Sequence, residues 1–439
     1  MKKLFAAIIV LSIVLTAGRA LADTGADPSM QTLMDEIQAL KMRVTELESR
    51  LTVQEKKMVQ QDIPAPETPA YHQKGVKEMF EWQGFRIGAG STFVVQGTPN
   101  ANNAAQEKED SRVDAEYTME IEIEKQFDDW GMAYLLMEPG QGEGIDEDLS
   151  LFSIVNFDTY DTGSLPEVTE TWYEHYLFDG QWTITAGKLY TPNYLDTNEY
   201  ANDETSQFLS RMFRTADTID YPDRDWSIGL RTNVSPSELD FVEVEGMWVE
   251  ADCDWEDIFD HTFAAAQLNF KPARAFDYDE ELWAGNYRAY FFYSGTDHTK
   301  WESPEATKRP NYGMGLSCDQ KLGEVFGWFC RLGWADPAVS QLEYHWSTGM
   351  QMTGKYWARP DDIIGVGVGQ AIPGDKYGEA DNPHDNETHL EAYYNIKINE
   401  YLHISPDLQF IWNPDGVSDN NDGDADPIFV YGLRGQIGF

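Results

Sequence analysis

Between positions 191 and 225 the sequence gathers Asp196, Asn198, Glu199, Asn202, Asp203, Glu204, Arg211 and Arg214 around Tyr194, Tyr200 and Phe208. Set across a narrow wet passage, facing acids and bases create a transverse field that orients dipolar solutes, and hydroxyl-rich solutes find donors and acceptors there. The competing use of the same residues is a loop folded on itself, with Asp and Asn satisfying its turns.

A second set is spread along the chain. Lys188, Arg231, Arg288, Arg331 and Lys397 each alternate with apolar neighbours, and Glu174 and Glu391 are their expected counter-charges. If the apolar neighbours face lipid, the cations face the other way, because a Lys or Arg at the bilayer midplane costs about 2–4 kcal/mol. The histidines, among them His175, His261, His345, His389 and His403, show no HExxH spacing, and neither a GxSxG elbow nor a cysteine–histidine metal cluster occurs. The pattern therefore predicts a protein that is not an enzyme and that needs neither cofactor nor metal.

The elements that must position these residues read as strands. In VDAEYTMEIEIEKQF, 113–127, Val113, Ala115, Tyr117, Met119, Ile121 and Ile123 alternate with Asp114, Glu116, Thr118, Glu120, Glu122 and Glu124, a period of two. Sixteen such runs begin near Phe85, Val113, Trp130, Thr171, Trp182, Trp226, Leu239, Thr262, Leu282, Asn311, Phe326, Tyr344, Ile363, His389, Leu402 and Ile428. Their connections alternate long and short, as in outer-membrane barrels, where one rim carries tight turns and the other long loops. The closing stretch IFVYGLRGQIGF alternates apolar and small or polar residues up to Phe439. One face of each strand is expected to meet lipid and the other a water-filled lumen, and open edges cannot survive in hydrocarbon, so the sheet must close. Trp130, Trp226, Trp328, Trp334 and Trp412 lie near strand ends and suit interfacial girdles. The expected fold is thus an all-β transmembrane barrel of about sixteen antiparallel strands over 80–439, in contact with outer-membrane lipid.

Ahead of it the character differs. Residues 1–22 read as a secretory signal peptide, with Lys2 and Lys3, an apolar run, and Ala20-Leu21-Ala22 before the cut. Within 23–60, Met30, Leu33, Ile37, Leu40, Val44, Leu47 and Leu51 form heptads. Glu36, Arg43 and Arg50 at g oppose Lys41, Glu48 and Glu55 at e', which predicts a short parallel coiled-coil helix, a homo-oligomer and a periplasmic stalk able to touch peptidoglycan. Pro64, Pro66 and Pro69 make 61–79 a stiff linker. A formal charge of -44 excludes nucleic acid as a partner. Cys318 and Cys330 flank a short turn at matching distances, which permits a cross-strand bridge, while Cys253 is left over; the reading preferred over a bridge is that all three pack as small hydrophobes.

The segment TAGKLYTPNYLDTNEYANDETSQFLSRMF, 185–213, resembles the carbohydrate-selective porin family, the OprB-like porins. GNYRAYFF from Gly285, RPDDIIGVGVGQ from Arg359, EAYYNIKINEYLHISPDLQFIWNPDG from Glu391 and the closing GLRGQIGF follow in the same order. The resemblance implies a barrel that lets sugars and other small solutes diffuse across the bacterial outer membrane. Cyanobacterial members place an S-layer homology domain where this chain has its coiled coil. In general porins the third outer loop folds inward, and here that loop is 191–225. Two other readings stay open from the residues: a cation-preferring channel with an acidic lumen, and an envelope tether acting through the coiled coil.

Overall fold

The computed structural model describes residues 80–438 apart from 83, 103–109, 159–166, 223–225, 303–307, 381–384 and 418–425. The expected signal peptide, coiled coil and proline-rich linker lie outside the described residues. Eighteen strand segments form one sheet. Two are short, Phe80–Trp82 and Gly140–Gln141, and the sixteen others make a wall.

In chain order these are β1 Phe85–Thr98, β2 Arg112–Phe127, β3 Gly131–Glu138, β4 Glu167–Leu177, β5 Trp182–Tyr190, β6 Trp226–Val234, β7 Val242–Glu250 and β8 Thr262–Phe270. They continue as β9 Gly285–Thr299, β10 Lys308–Leu322, β11 Phe326–Ala335, β12 Leu342–Gly354, β13 Arg359–Pro373, β14 Glu387–Lys397, β15 Leu402–Trp412 and β16 Ile428–Gly438. Each strand pairs antiparallel with the next, as β1 does with β2 in the register Ile87↔Ile123. Closure comes from β16 pairing with β1, Leu433↔Val95 and Ile437↔Ser91. Among the described residues the ring of sixteen strands therefore has no open edge. Among the described residues no helix is long and apolar enough to cross a membrane; the apolar band is carried by strands.

Alternation decides which side chains face out. On β2, Val113 is 62 % exposed and Glu116 5 %; Phe93, Leu230, Phe291, Met314, Val366 and Leu433 continue the apolar outer face around the barrel. Aromatic residues mark the strand ends, where amphipathic rings suit a membrane interface. Phe127 and Trp130 stack at 5.3 Å, Phe178 and Trp182 at 6.1 Å, and Phe410 and Trp412 at 6.0 Å. Trp226 departs from the expected girdle: it is buried, and the Lys188 ammonium lies 5.4 Å from its ring centre.

Long connections share one rim and tight turns the other, with two exceptions: 336–341 is short on the long-loop rim, and 271–284 is long on the other. The connection 271–284 on the short-turn rim holds two helical turns, Pro272–Phe276 and Glu280–Trp283. The Asp279 carboxylate accepts the Glu281 N–H and starts the second turn, so the strand expected near Leu282 begins at Gly285. Likewise Leu239 closes a 3₁₀ turn and its strand begins at Val242. The inward acids of β2 also depart from expectation. Glu116, Glu122 and Glu124 are buried rather than bathed in luminal water, because a long loop and the neighbouring strands close over them.

Candidate functional site

The third long connection, L3 (191–225), leaves β5 through a 3₁₀ turn, Thr191–Asn193, and carries one helical turn, Arg211–Arg214, capped by the Ser210 side chain. Its contacts run to inward-facing residues of the wall. Arg331 on β11 is fully buried and reaches three separate parts of the loop. It donates to the Asp196 carboxylate at 3.0 Å, to the Asp196 carbonyl at 3.0 Å and to the Ala201 carbonyl at 2.8 Å, and also to the Phe213 carbonyl. Asp196 in turn accepts the Ala216 N–H at 2.7 Å, and its own N–H donates to Gln267 on β8 at 3.0 Å. One planar guanidinium therefore ties together loop segments that the sequence separates, a task suited to its fork of donors.

Strand β14 holds the loop from the other side. Its inward positions Glu387, His389, Glu391, Tyr393 and Asn395 follow at every second residue. Glu391 accepts the Leu209 and Ser210 N–H groups at 2.6 and 3.0 Å, just before the helical turn. Tyr393 packs edge-on against Phe208 at 5.0 Å, and Asn395 donates to the Ser206 carbonyl at 2.9 Å. Arg434 on β16 donates to the Glu204 carbonyl at 2.6 Å. On β13 the wall is small where the loop presses on it: a Cβ on Gly367 would lie 2.8 Å from the Phe213 ring, and one on Gly369 2.7 Å from the Met212 sulfur. Phe208, Met212 and Phe213 make an apolar cluster there with Phe329 and Tyr393.

A second loop, L2 (139–166), also enters, which the sequence reading did not anticipate. Glu387 accepts the Phe152 and Ser153 N–H groups, each at 2.9 Å. Val155 is buried with Ile411, Ile428 and Val430. The two loops join directly, Phe157 N–H to the Leu209 carbonyl at 2.8 Å and the Ser210 hydroxyl to the Ile154 carbonyl at 2.8 Å. His389 sits between them, 3.0 Å from the Ser153 hydroxyl and 3.3 Å from that of Ser210.

The candidate residues divide by burial. Asp196, Asn198, Arg214, Glu174, Arg231, Arg331 and Glu391 are buried; Asp196, Asn198, Arg331 and Glu391 join loop to wall, Arg214 bonds within the loop, and Glu174 pairs with Arg231 within the wall. Glu391 was expected to balance a cation; it accepts backbone N–H groups instead. Arg214 holds Glu204 at 2.6 Å and Asn202 at 3.2 Å within the loop. Asn198 donates to Ser317 and to the Cys318 carbonyl at 3.2 and 3.0 Å. Arg231 does find its expected partner Glu174 at 3.2 Å, with Glu245 at 2.8 Å. Half-buried, and open to water on one side, are Lys188, Glu199, Asn202, Asp203, Glu204, Arg211, Arg288 and Lys397. Their charges are also matched: Lys188 with Glu167 at 3.5 Å, Arg211 with Asp217 at 3.4 Å, Arg288 with Asp319 at 2.6 Å and Lys397 with Asp361 at 3.5 Å. Asp203 satisfies a turn of its own, accepting from Thr205 and Ser206. The overlooked Glu387, His389 and Arg434 share one signal, a polar residue at an inward position of a strand. Elsewhere, ligand atoms of Asp252, Asp260 and His261 lie within 4.8 Å of one another at the connection 251–261, where a cation could be held.

L2 also carries acids with shifted titration. Asp146 is half-buried with its Oδ2 shut off from solvent, and burial pushes its carboxyl up to about 7 against the pull of the Val155 N–H it accepts at 2.7 Å. Burial, and then the nearby Glu116 charge, raise Asp158 well above 3.8. A carboxyl whose folded value exceeds its unfolded one stabilises the fold below the unfolded value and loses that contribution as pH rises through the folded one. L2 should therefore be held more weakly at pH 8 than at pH 5. Limited proteolysis at the two pH values, normalised to an unstructured peptide, is expected to cut within 139–158 several-fold faster at pH 8.

A closed sixteen-strand barrel with an apolar outer band, aromatic ends and loops tied inside defines the class of outer-membrane porins, which are channels rather than enzymes. The chain belongs to the family described as carbohydrate-selective porin, OprB family, whose sequence profile matches residues 109–439. An uncharacterised protein of Aquifex aeolicus (strain VF5) is 25% identical over 228 residues, 52% of this chain and 59% of that protein. Porin B of Pseudomonas aeruginosa is 27% identical over 129 residues, 25% of this chain and 27% of that protein. The matched part thus spans less than two thirds of either curated relative. Among solved structures, the high-pH structure of Pseudomonas putida OprB superposes with a TM-score of 0.68 at 17% identity, covering 81% of this chain and 94% of that one. At that identity the likeness shows the fold.

Proposed function

We propose that the protein is a passive diffusion porin for carbohydrates and other small hydrophilic solutes, with L3 and L2 narrowing its aqueous path. The observation that carries this reading is the attachment of L3 to the inner wall at Arg331 and Glu391, since a loop held inside a barrel takes up cross-section that solutes would otherwise use. Half-buried Glu199, Asp203, Glu204, Arg211 and Lys188 then offer paired donors and acceptors to hydroxyl groups, and selectivity follows from the residues at the narrowest point. Family membership supports the carbohydrate class.

Swelling of liposomes containing the purified protein tests it. Rates are expected to fall steeply from monosaccharides to trisaccharides while exceeding those of protein-free liposomes. Rates equal to those of protein-free liposomes for every sugar would reject the reading. A second reading, a cation-preferring channel, is favoured by one observation, the formal charge of -44 from 76 Asp and Glu against 32 Lys and Arg. Reversal potentials in a salt gradient decide between them: strong cation preference without any sugar-induced block of current favours the second.

A further inference from the structure

Cys318 on β10 and Cys330 on β11 are register partners on adjacent antiparallel strands. Directly opposed residues in such a pair have Cα atoms about 4.5–5.5 Å apart, within the span of roughly 4.4–6.8 Å that a disulfide bridges. Both cysteines lie on the outer face, half-buried, beside the outward Leu316 and Leu332. Their neighbours Ser317 and Arg331, also register partners, face inward and are fully buried. The structure holds both thiols free. A barrel destined for the outer membrane travels through an oxidising compartment, where accessible thiol pairs become disulfides.

We propose that Cys318 and Cys330 form a redox site that closes into a disulfide across β10 and β11 during export. The oxidant required is a protein disulfide of the periplasm. One cysteine thiolate attacks that disulfide, whose S–S bond breaks and whose departing sulfur takes the electron pair, leaving a mixed disulfide. The second cysteine thiolate attacks the mixed disulfide at the barrel's own sulfur. The Cys318–Cys330 bond forms, and the oxidant leaves with two thiols. Two S–H bonds are lost here and two gained there, so two electrons and two protons pass to the oxidant.

The position of the bond gives it a consequence. On the inner face of the same step, the Ser317 hydroxyl donates to the Thr197 carbonyl at 2.8 Å, Asn198 donates to the Cys318 carbonyl at 3.0 Å and Arg331 holds Asp196. A covalent link there fixes the two strands where L3 is attached. This consequence rests on the proposed role of L3; the bond itself does not.

Two measurements keep the parts separate. The full chain, extracted from outer membranes in detergent without reductant, is unfolded in excess iodoacetamide, and its intact mass is read before and after reduction. One added carbamidomethyl group, mapped to Cys253, is expected before reduction and three after it. Three before reduction would overturn the site. In the Cys318→Ser variant, Cys330 and Cys253 should both be labelled without reductant; an unlabelled Cys330 there would also overturn it. Single-channel current noise is then recorded with and without dithiothreitol. A several-fold rise in the natural protein, and none in the Cys318→Ser/Cys330→Ser variant, supports the link to L3. Unchanged noise in a protein shown to be bridged would overturn that link.

Discussion

Arg331→Met is expected to release L3 from the wall and raise single-channel conductance about twofold, because the narrowest segment sets the resistance of a pore. Methionine keeps the volume of the stem but removes every donor, leaving the Asp196 carboxylate and the carbonyls of Ala201 and Phe213 without the guanidinium. Removing one partner of a buried ion pair costs about 3–5 kcal/mol. The wall has its own continuous ladder through Phe329↔Asp319 and Leu332↔Leu316, so the loss should fall on the loop. Arg331→Lys should recover little, since a single ammonium cannot serve carbonyls on several sides as a planar fork does. Heat resistance of the barrel in detergent, unchanged beside the raised conductance, would show that the loop and not the wall was affected. Equal conductance in the variant would mean that Arg331 does not hold the restriction.

Glu391→Leu is the second large effect expected. Leucine cannot accept the Leu209 and Ser210 N–H groups, and each buried donor left unsatisfied costs about 1–3 kcal/mol. The helical turn Arg211–Arg214 begins at that point, so Phe208 and Phe213 should lose their seat on β13. Glu391→Gln is the informative control. Its amide oxygen still accepts one N–H, and it removes a carboxylate from beside Asp407, so it should stay close to the natural protein. Proteolysis within L3, scored by the appearance of a cut at Arg211 or Arg214, is expected to rise at least tenfold in the Leu variant and by much less in the Gln variant. Equal protection in all three would show that Glu391 is not a tie.

The two sets of ties differ in how far they could be read from sequence. The sixteen strands were legible because lipid outside and polar groups inside force a period of two along every strand, as in the run 113–127. Boundaries slipped where another local rule prevailed. Asp279 nucleated a helical turn ahead of β9, and β13 begins at Arg359, which pairs with Gly354 before a register shift, the regular ladder resuming at the expected Ile363. The identity of the charged residues was legible too, but their roles were not. Arg331 and Glu391 point inward by parity, which suits a pore lining; whether they meet water or a loop depends on what fills the lumen. That is a long-range fact, set by Gly367 and Gly369 leaving room on β13 and by the rings of Phe208 and Phe213 that use it. L2 was missed for a related reason. Its apolar stretch LFSIVNF, 151–157, is out of place in a connection reaching into water, and its burial against Ile411, Ile428 and Val430 explains it.

The most direct measurement compares sugar flux through the natural protein with flux through a variant in which 194–222 is replaced by a short Gly-Ser connection, the strands being left intact. Liposome swelling with a series from monosaccharide to tetrasaccharide should show a steep fall with size in the natural protein and a nearly flat profile, with faster rates throughout, in the variant. The same steep fall in both would contradict the claim that a loop tied to the inner wall sets what passes.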